Sequence, residues 1–256
     1  MTFDFNRELA RQYHSRSQIS RVLTEDWLER NVFCPVCGAP YINRYKNNHP
    51  VGDFYCEQCA SDFELKSKEN SSGRLSNTIT DGEYGTMIER ITSFRNPNFF
   101  FITYTDYSVI NLVVIPNHFF TPEIIIKRKP LGPNARRAGW TGCTIDISSI
   151  PESGKIFMIK NRVEINRDTV LSLYAKTKAL RTESLECRGW LLDTLACIDR
   201  IREKDFSLNQ VYEFERELKK KHPDNNFIKD KIRQQLQVLR DKNFIEFIAP
   251  GRYRKL

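Results

Sequence analysis

The first 180 residues consist of short apolar runs separated by polar segments, which is typical of strands joined by turns. Residues 98–105 and 109–115 are β-rich runs, and this predicts a strand at each. The same patterns predict further strands at 53–55, 62–66, 143–147 and 155–160, and helices at 18–30 and 83–93. The polar stretch 67–78 is predicted to be a loop. We therefore expect a mixed α/β domain over residues 1–180.

Beyond residue 180 the periodicity becomes helical. Ser184 can cap a first helix, residues 208–221 form a second, and residues 227–242 form an amphipathic third. Residues 244–248 and 252–255, joined by a Pro-Gly turn, predict a hairpin. Three helices followed by a hairpin indicate a winged-helix domain over residues 181–256, whose third helix usually enters the DNA major groove. A winged helix that serves only protein contacts is the alternative.

The composition is that of a globular protein, because apolar residues make up 40% of the 256 residues and charged residues 28%. The sequence has no apolar run long enough for a membrane span, and charges occupy its first residues. We therefore expect a cytoplasmic protein without a membrane partner.

The net charge of +8 makes polyanions the first class of partner to consider. Residues 181–256 hold 17 basic and 13 acidic side chains, and residues 121–140 hold five basic side chains against one acidic. The remainder of the chain is balanced. Two local basic regions favour a nucleic-acid partner.

Four of the seven cysteines form two Cys-x2-Cys pairs, Cys34 with Cys37 and Cys56 with Cys59, separated by 18 residues. This spacing is typical of a structural zinc site, in which four thiolates surround one tetrahedral ion. Buried unpaired cysteines or a redox pair are the alternatives. We expect Cys143, Cys187 and Cys197 to be core residues.

The acidic and basic residues around this zinc knuckle (34–59) suggest a second metal site. On a predicted strand, Glu64 and Lys66 face the same side, and Asp53 lies on the preceding strand. Two carboxylates and the Leu65 carbonyl would suit Mg²⁺, and the lysine could orient or deprotonate an attacking water. The alternative is a solvated strand face, because a charged strand often carries such spacing.

The set Gly52-Asp53 with Glu64-Leu65-Lys66 resembles the PD-(D/E)XK nuclease core. Nearly the whole chain is similar to the methyladenine-directed type II (IIM) restriction endonucleases. The segments that carry this similarity are 23–27, 53–56, 63–68, 96–101, 135–140 and 231–237. Gly52 departs from the wider nuclease pattern, in which a proline usually precedes the aspartate.

The resemblance implies a Mg²⁺-dependent restriction endonuclease that hydrolyses double-stranded DNA at GATC when the adenine carries an N6-methyl group. It also implies that both domains read the methylated site, and we expect a monomer. The catalytic residues implied are Asp53, Glu64 and Lys66, with Leu65 as an additional magnesium ligand.

The expected DNA-binding residues lie in the two basic regions. Reading an N6-methyl group requires an apolar or aromatic surface beside donors for guanine, and Arg136, Arg137 and Trp140 meet this requirement. A basic turn that contacts the DNA backbone, next to a core tryptophan, is the alternative. In the winged helix we expect DNA contacts from Lys231, Arg233, Gln234 and Gln237 on the third helix and from Arg252 and Arg254 on the hairpin.

Two other functions remain open from the sequence. One is a non-enzymatic regulator that binds DNA through zinc and winged-helix modules. The other is a repair nuclease of the same core that ignores adenine methylation.

Overall fold

The structure is a computed structural model that describes residues 2–46, 52–70, 72–93, 96–182 and 184–256. It divides into two compact units, one of Met1–Ile147 with Ser153–Lys178 and one of Ser148–Glu152 with Ala179–Leu256. No helix within the described ranges is long and apolar enough to cross a membrane.

The first unit is built around a seven-stranded mixed sheet. Its strands lie in the order β1-β2-β3-β5-β6-β9-β10. Strands β3 and β5 are parallel, and the remaining neighbours are antiparallel. The strands are β1 (Asn43–Arg44), β2 (Phe54–Tyr55), β3 (Asp62–Glu69), β5 (Asn98–Thr105), β6 (Ser108–Ile115), β9 (Ile156–Lys160) and β10 (Val163–Glu164).

The predicted strands at 98–105 and 109–115 are present as β5 and β6, and both faces of these central strands are buried. On one face Phe100 packs in a cluster with Trp27 of helix α1 (Arg16–Asn31) and Tyr174 of helix α3 (Arg167–Thr177). On the other face Phe99 contacts Phe120, with ring centroids 4.2 Å apart. The sheet is therefore a rigid platform for side chains on β3.

A second, three-stranded sheet lies within the same unit. Its strand order is β4-β8-β7, from β4 (Thr78–Glu83), β8 (Gly142–Asp146) and β7 (Ile125–Lys127). Helix α2 (Tyr84–Thr92) follows β4 directly and buries Met87 and Ile91. This connection between β3 and β5 brings further charged side chains to the main sheet.

Among its described residues, the second unit has four α-helices and a three-stranded sheet in the order β11-β13-β12. Ser184 caps the first helix by accepting the N–H of Cys187 at 3.3 Å. The elements are α4 (Leu185–Arg200), β11 (Asp205–Ser207), α5 (Leu208–Tyr212), α6 (Glu215–Lys221), α7 (Ile228–Asp241), β12 (Ile245–Ala249) and β13 (Arg252–Lys255). The mixed α/β class predicted for the chain is confirmed.

Some local predictions are wrong. Residues 208–221 form two helices, α5 and α6, because the backbone departs from helical dihedral angles at Phe214, with φ of −85° and ψ of 3°. The predicted loop 67–78, of which residue 71 lies outside the described ranges, begins within β3, since Ser67–Glu69 pair with β5. Cys187 is exposed and does not belong to the core.

Candidate functional site

The four paired cysteines converge on one point. Their sulfur atoms all lie within 4.8 Å of one another, with Cys34 Sγ 3.7 Å from Cys59 Sγ and Cys37 Sγ 3.6 Å from Cys56 Sγ. Tetrahedral zinc with bonds of about 2.3 Å requires sulfur atoms about 3.8 Å apart. The donor chemistry and the spacing therefore fit zinc, and the cluster can hold that ion.

Each Cys-x2-Cys pair forms the same turn. In the first, Gly38 donates its N–H to the Cys34 carbonyl at 2.8 Å, and in the second, Ala60 donates to the Cys56 carbonyl at 2.9 Å. Both donors adopt a left-handed conformation, with φ of 81° at Gly38 and 52° at Ala60. Burial raises the pKa of the Cys34 thiol. A bound cation would reverse this effect by stabilising the thiolate.

The second cysteine turn forms the loop of the hairpin between β2 and β3. Phe54 pairs with Phe63, and Tyr55 pairs with Asp62, directly on either side of the turn. Asp53 precedes this paired region, and its Oδ2 accepts the N–H of Leu65 at 2.7 Å. The cysteine cluster thus fixes the hairpin that brings Asp53 next to β3.

Gly52 is required where the chain enters this hairpin. A Cβ atom at this position would lie 2.8 Å from the carbonyl oxygen of Phe63. Since real Cβ atoms essentially never approach a backbone oxygen this closely, a side chain would displace Asp53. The close approach explains why glycine stands where the wider nuclease pattern has proline.

The side chains of Glu64 and Lys66 lie together on one side of β3, while Phe63 is fully buried on the other. Lys66 Nζ lies 2.5 Å from Glu64 Oε1. These two groups are largely shielded from solvent, with side-chain exposures of 18% for Lys66 and 10% for Glu64. They form a buried ion pair and not the solvated strand face considered as the alternative.

Two further charged residues complete this cluster, and the sequence analysis missed both. Asp81 on β4 places its Oδ1 2.5 Å from Lys66 Nζ, and Arg90 on α2 forms an ion pair with Glu64 Oε2. The Asp-Gly pair at 81–82 has the composition of a turn, so β4 gave no strand signal. Arg90 lies on a predicted helix, but its partner is 26 positions away in the sequence.

The neighbours of the buried ion pair control its protonation. Burial raises the pKa of Glu64, although the Lys66 and Arg90 cations act in the opposite direction. Burial would lower the pKa of Lys66, but the adjacent Glu64 and Asp81 carboxylates outweigh it and raise that pKa. Lys66 is therefore a cation here, and it can donate hydrogen bonds to an anion.

The carboxylates by themselves do not assemble a three-ligand metal site. Within the described part of the chain, the cysteine cluster is the one group of three or more His, Cys, Asp or Glu with ligand atoms within 4.8 Å. Near β3, Lys66 separates Glu64 from Asp81. A cation at Asp53 and Glu64 would consequently need the Leu65 carbonyl, water or a substrate oxygen as further ligands.

The predicted DNA-binding residues of the first unit lie on the connection between β7 and β8. Arg136 and Arg137 are exposed, and Trp140 is half-buried. The Arg137 guanidinium lies 4.7 Å from the centroid of the Trp140 ring. A basic surface and an aromatic face are therefore adjacent on this loop.

The predicted reading helix corresponds to α7. Arg233, Gln234 and Gln237 are exposed on its outer face, opposite the buried Ile232 and Leu236. Arg233 donates to the hydroxyl of Tyr212 at 2.7 Å and also pairs with Asp230. Lys231 Nζ lies 5.9 Å from the centroid of the Trp190 ring, which orients this lysine beside the helix.

The two arginines of the hairpin differ in their surroundings. Arg252 is exposed, whereas Arg254 donates to both Asp205 oxygens, at 2.6 and 2.9 Å, and to Glu246 at 3.3 Å. The Asp205 carboxylate raises the pKa of Arg254. Much of the charge of Arg254 is therefore compensated within the sheet.

Two family models match successive parts of the chain. Residues 1–183 match the family model DpnI, described as the Dam-replacing family, and residues 186–255 match the Dam-replacing HTH domain. The C-terminal unit is thus a helix-turn-helix domain, and the resemblance to methyl-directed restriction enzymes is confirmed at the family level. Membership implies methylation-dependent DNA cleavage together with DNA binding. A hairpin with a cysteine turn presents the charged cluster, and the helix-turn-helix domain follows it in the chain. Since the two family models together cover nearly all residues of the chain, the chain belongs to the Dam-replacing family.

Proposed function

We propose that this protein is a Mg²⁺-dependent type II restriction endonuclease that hydrolyses double-stranded DNA at GATC sites whose adenine is N6-methylated. The observation that carries the proposal is the buried pair of Glu64 and Lys66 on β3, beside Asp53 on the same hairpin. Family membership supports the choice of methylated DNA as substrate. The enzyme would act as a monomer in the cytoplasm.

Asp53, Glu64 and the Leu65 carbonyl would hold Mg²⁺. All three supply the hard oxygen donors that this ion prefers. Asp53 uses one oxygen to accept the Leu65 N–H, which fixes the carboxylate and leaves its other oxygen for a cation. When bound, the metal would supply charge neutralisation at the scissile phosphate and a more acidic water.

Lys66 would donate to the scissile phosphate. Since its neighbours raise its pKa, the ammonium form is favoured, and this supports orientation and charge stabilisation over abstraction of a proton from water. Of the two roles open from the sequence, orienting the attacking water is therefore better supported than deprotonating it.

Recognition would be divided between the two units. On α7, Lys231, Arg233, Gln234 and Gln237 would contact the major groove, and Arg252 and Arg254 would contact phosphates. In the first unit, Arg136 and Arg137 would donate to guanine or phosphate, and the apolar face of Trp140 would pack against the methyl groups. The stack of Arg137 on Trp140 supports a shared role for these two side chains.

The proposal is tested by incubating one plasmid, prepared with and without adenine methylation, with the protein in the presence and absence of Mg²⁺. We expect cleavage only of the methylated plasmid, and only when Mg²⁺ is present. Cleavage that ignores methylation would favour a repair nuclease. Binding without cleavage under Mg²⁺, Mn²⁺ or Co²⁺ would favour a regulator.

A pair of matched variants assigns the cleavage to this site. Asp53→Asn should abolish cleavage while methylated DNA is still bound, because the metal loses a charged carboxylate ligand and the basic surfaces are unchanged. Glu69→Gln, at the exposed end of β3, should cleave at the wild-type rate. Cleavage by Asp53→Asn at the wild-type rate would remove Asp53 from the mechanism.

A further inference from the structure

Asp81 holds Lys66 from a different sheet. Its Oδ1 lies 2.5 Å from Lys66 Nζ and also accepts the N–H of Gly82 at 2.7 Å. The side chain is 10% exposed, and its Oδ2 has no hydrogen-bond partner among the described residues. Leaving a carboxylate oxygen buried and unpaired is costly, so this position is not explained by stability alone.

The backbone of β4 is distorted at this residue. Its pairing with β8 shifts register between Asp81 and Glu83, which indicates a β-bulge. Bulges redirect side chains and occur frequently beside active sites. Here the bulge lies where the Asp81 side chain reaches across to β3.

The charges of the cluster alternate in sign. Asp81, Lys66, Glu64 and Arg90 form a chain in which each ion contacts one of opposite sign, and the four charges sum to zero. Lys66 is held equally by two carboxylates, at 2.5 Å each. If Glu64 turns towards a divalent cation, Lys66 loses one of these two partners.

We propose that Asp81 is a positioning residue, which holds the Lys66 ammonium in place for the scissile phosphate while Glu64 is engaged with the metal. This inference rests on the proposed function. Asp81 itself contacts neither DNA nor metal in this assignment. It acts only through Lys66.

Asp81→Asn is the direct test, since it preserves the size of the side chain and removes its charge. At saturating methylated DNA we expect the cleavage rate to fall about 10- to 100-fold, because a displacement of about 1 Å in a catalytic group can cost about 100-fold. Affinity for methylated DNA should be unchanged or higher, since one negative charge is lost near the phosphate. Asp81→Glu should retain more of the rate than Asp81→Asn.

The matched control is Glu89→Gln, an exposed carboxylate on α2 outside the cluster, which should cleave at the wild-type rate. A second measurement uses the metal-free protein and does not depend on activity. The losses in Tm caused by Asp81→Asn and Lys66→Met should not add in the double variant, because the two side chains contact each other.

The outcomes separate the two levels of inference. Wild-type protein that fails to cleave methylated DNA overturns the proposed function and, with it, the catalytic consequence assigned to Asp81. Wild-type cleavage with an Asp81→Asn variant at full rate overturns the Asp81 inference alone. Additive losses in Tm also overturn it, since they show that the two side chains are not coupled.

Discussion

At the scale of single residues, identical side chains receive different chemistry from their surroundings. Burial raises the pKa of Cys143 to about 11 and that of Cys197 to about 12, whereas Cys187 is exposed. Only the thiolate reacts readily with alkylating reagents. The three cysteines outside the cluster therefore differ in reactivity, although all three were predicted from the sequence to be core residues.

This contrast predicts the result of alkylating the folded protein with iodoacetamide at pH 8. Cys187 should react, while Cys143 and Cys197 should remain protected at this pH because their raised pKa values keep the thiols protonated. Zinc should protect the four cluster cysteines from alkylation, and chelation of the zinc should remove this protection. Mass spectrometry of peptides gives the sites, and rapid labelling of all four without chelation would contradict a zinc centre.

A second prediction concerns the arginines of the hairpin. Arg252→Ala should weaken binding to all duplexes and reduce the salt dependence by about one charge, because its exposed guanidinium is available to phosphate. Arg254→Ala should have a smaller effect on binding, since Asp205 and Glu246 already engage that side chain. Fluorescence titration of both variants at two salt concentrations shows which substitution causes the larger loss of DNA affinity. A larger loss for Arg254→Ala would show that DNA breaks its ion pairs.

At the scale of elements, the hairpin between β2 and β3 links the cysteine cluster to the proposed magnesium ligands. Its loop is a cysteine turn, and its other end holds Asp53 against Leu65. Zinc in this loop would therefore order the strand that carries Glu64 and Lys66. We expect loss of zinc to reduce both folding and cleavage.

The left-handed residue of the second cysteine turn gives a prediction for stability. Ala60→Gly should stabilise the protein by up to about 1.5 kcal/mol. The left-handed conformation costs a non-glycine residue about 1–2 kcal/mol, and the greater flexibility of glycine in the unfolded chain offsets about 0.5–1 kcal/mol of this gain. Ala39→Gly is the control, since it removes a buried methyl group from the first turn and should destabilise the protein. Urea unfolding measures both, and destabilisation by Ala60→Gly would contradict the assigned backbone conformation.

At the scale of the whole molecule, the C-terminal unit includes a short segment that precedes the rest of that unit in the chain. Residues Ser148–Glu152 belong to it, and the Glu152 N–H donates to Asp199 Oδ2 at 2.8 Å. A boundary drawn at residue 180 by sequence alone omits this segment. The basic charge of residues 181–256 nevertheless remains with the helix-turn-helix domain.

We predict that a fragment of residues 179–256 folds, although less stably than in the full chain, and binds methylated duplexes. Gln237→Ala in this fragment should cost about 1–3 kcal/mol and reduce discrimination between methylated and unmethylated DNA, because its exposed amide on α7 is placed for a base edge. Circular dichroism checks folding, and titration checks binding. A folded fragment that binds neither duplex would show that α7 is not a DNA reader.

The sequence by itself determined those features whose partners are close along the chain. The cysteine turns, the alternation of Glu64 and Lys66 on one side of β3, and the amphipathic pattern of α7 each depend on short-range spacing. For the same reason, the β-rich runs of β5 and β6 were recognisable as strands.

Only the tertiary structure decided which distant charges meet. Asp81 and Arg90 join Glu64 and Lys66 because β4 and α2 fold back over β3, and the Asp-Gly pair at the bulge has the composition of a turn, which hid the strand. Likewise, Arg254 is neutralised by Asp205, which is 49 positions away. Local propensity indicates which secondary structure a segment forms. The energy of a buried charge, in contrast, depends on every group packed around it, and packing brings together segments that are remote in sequence.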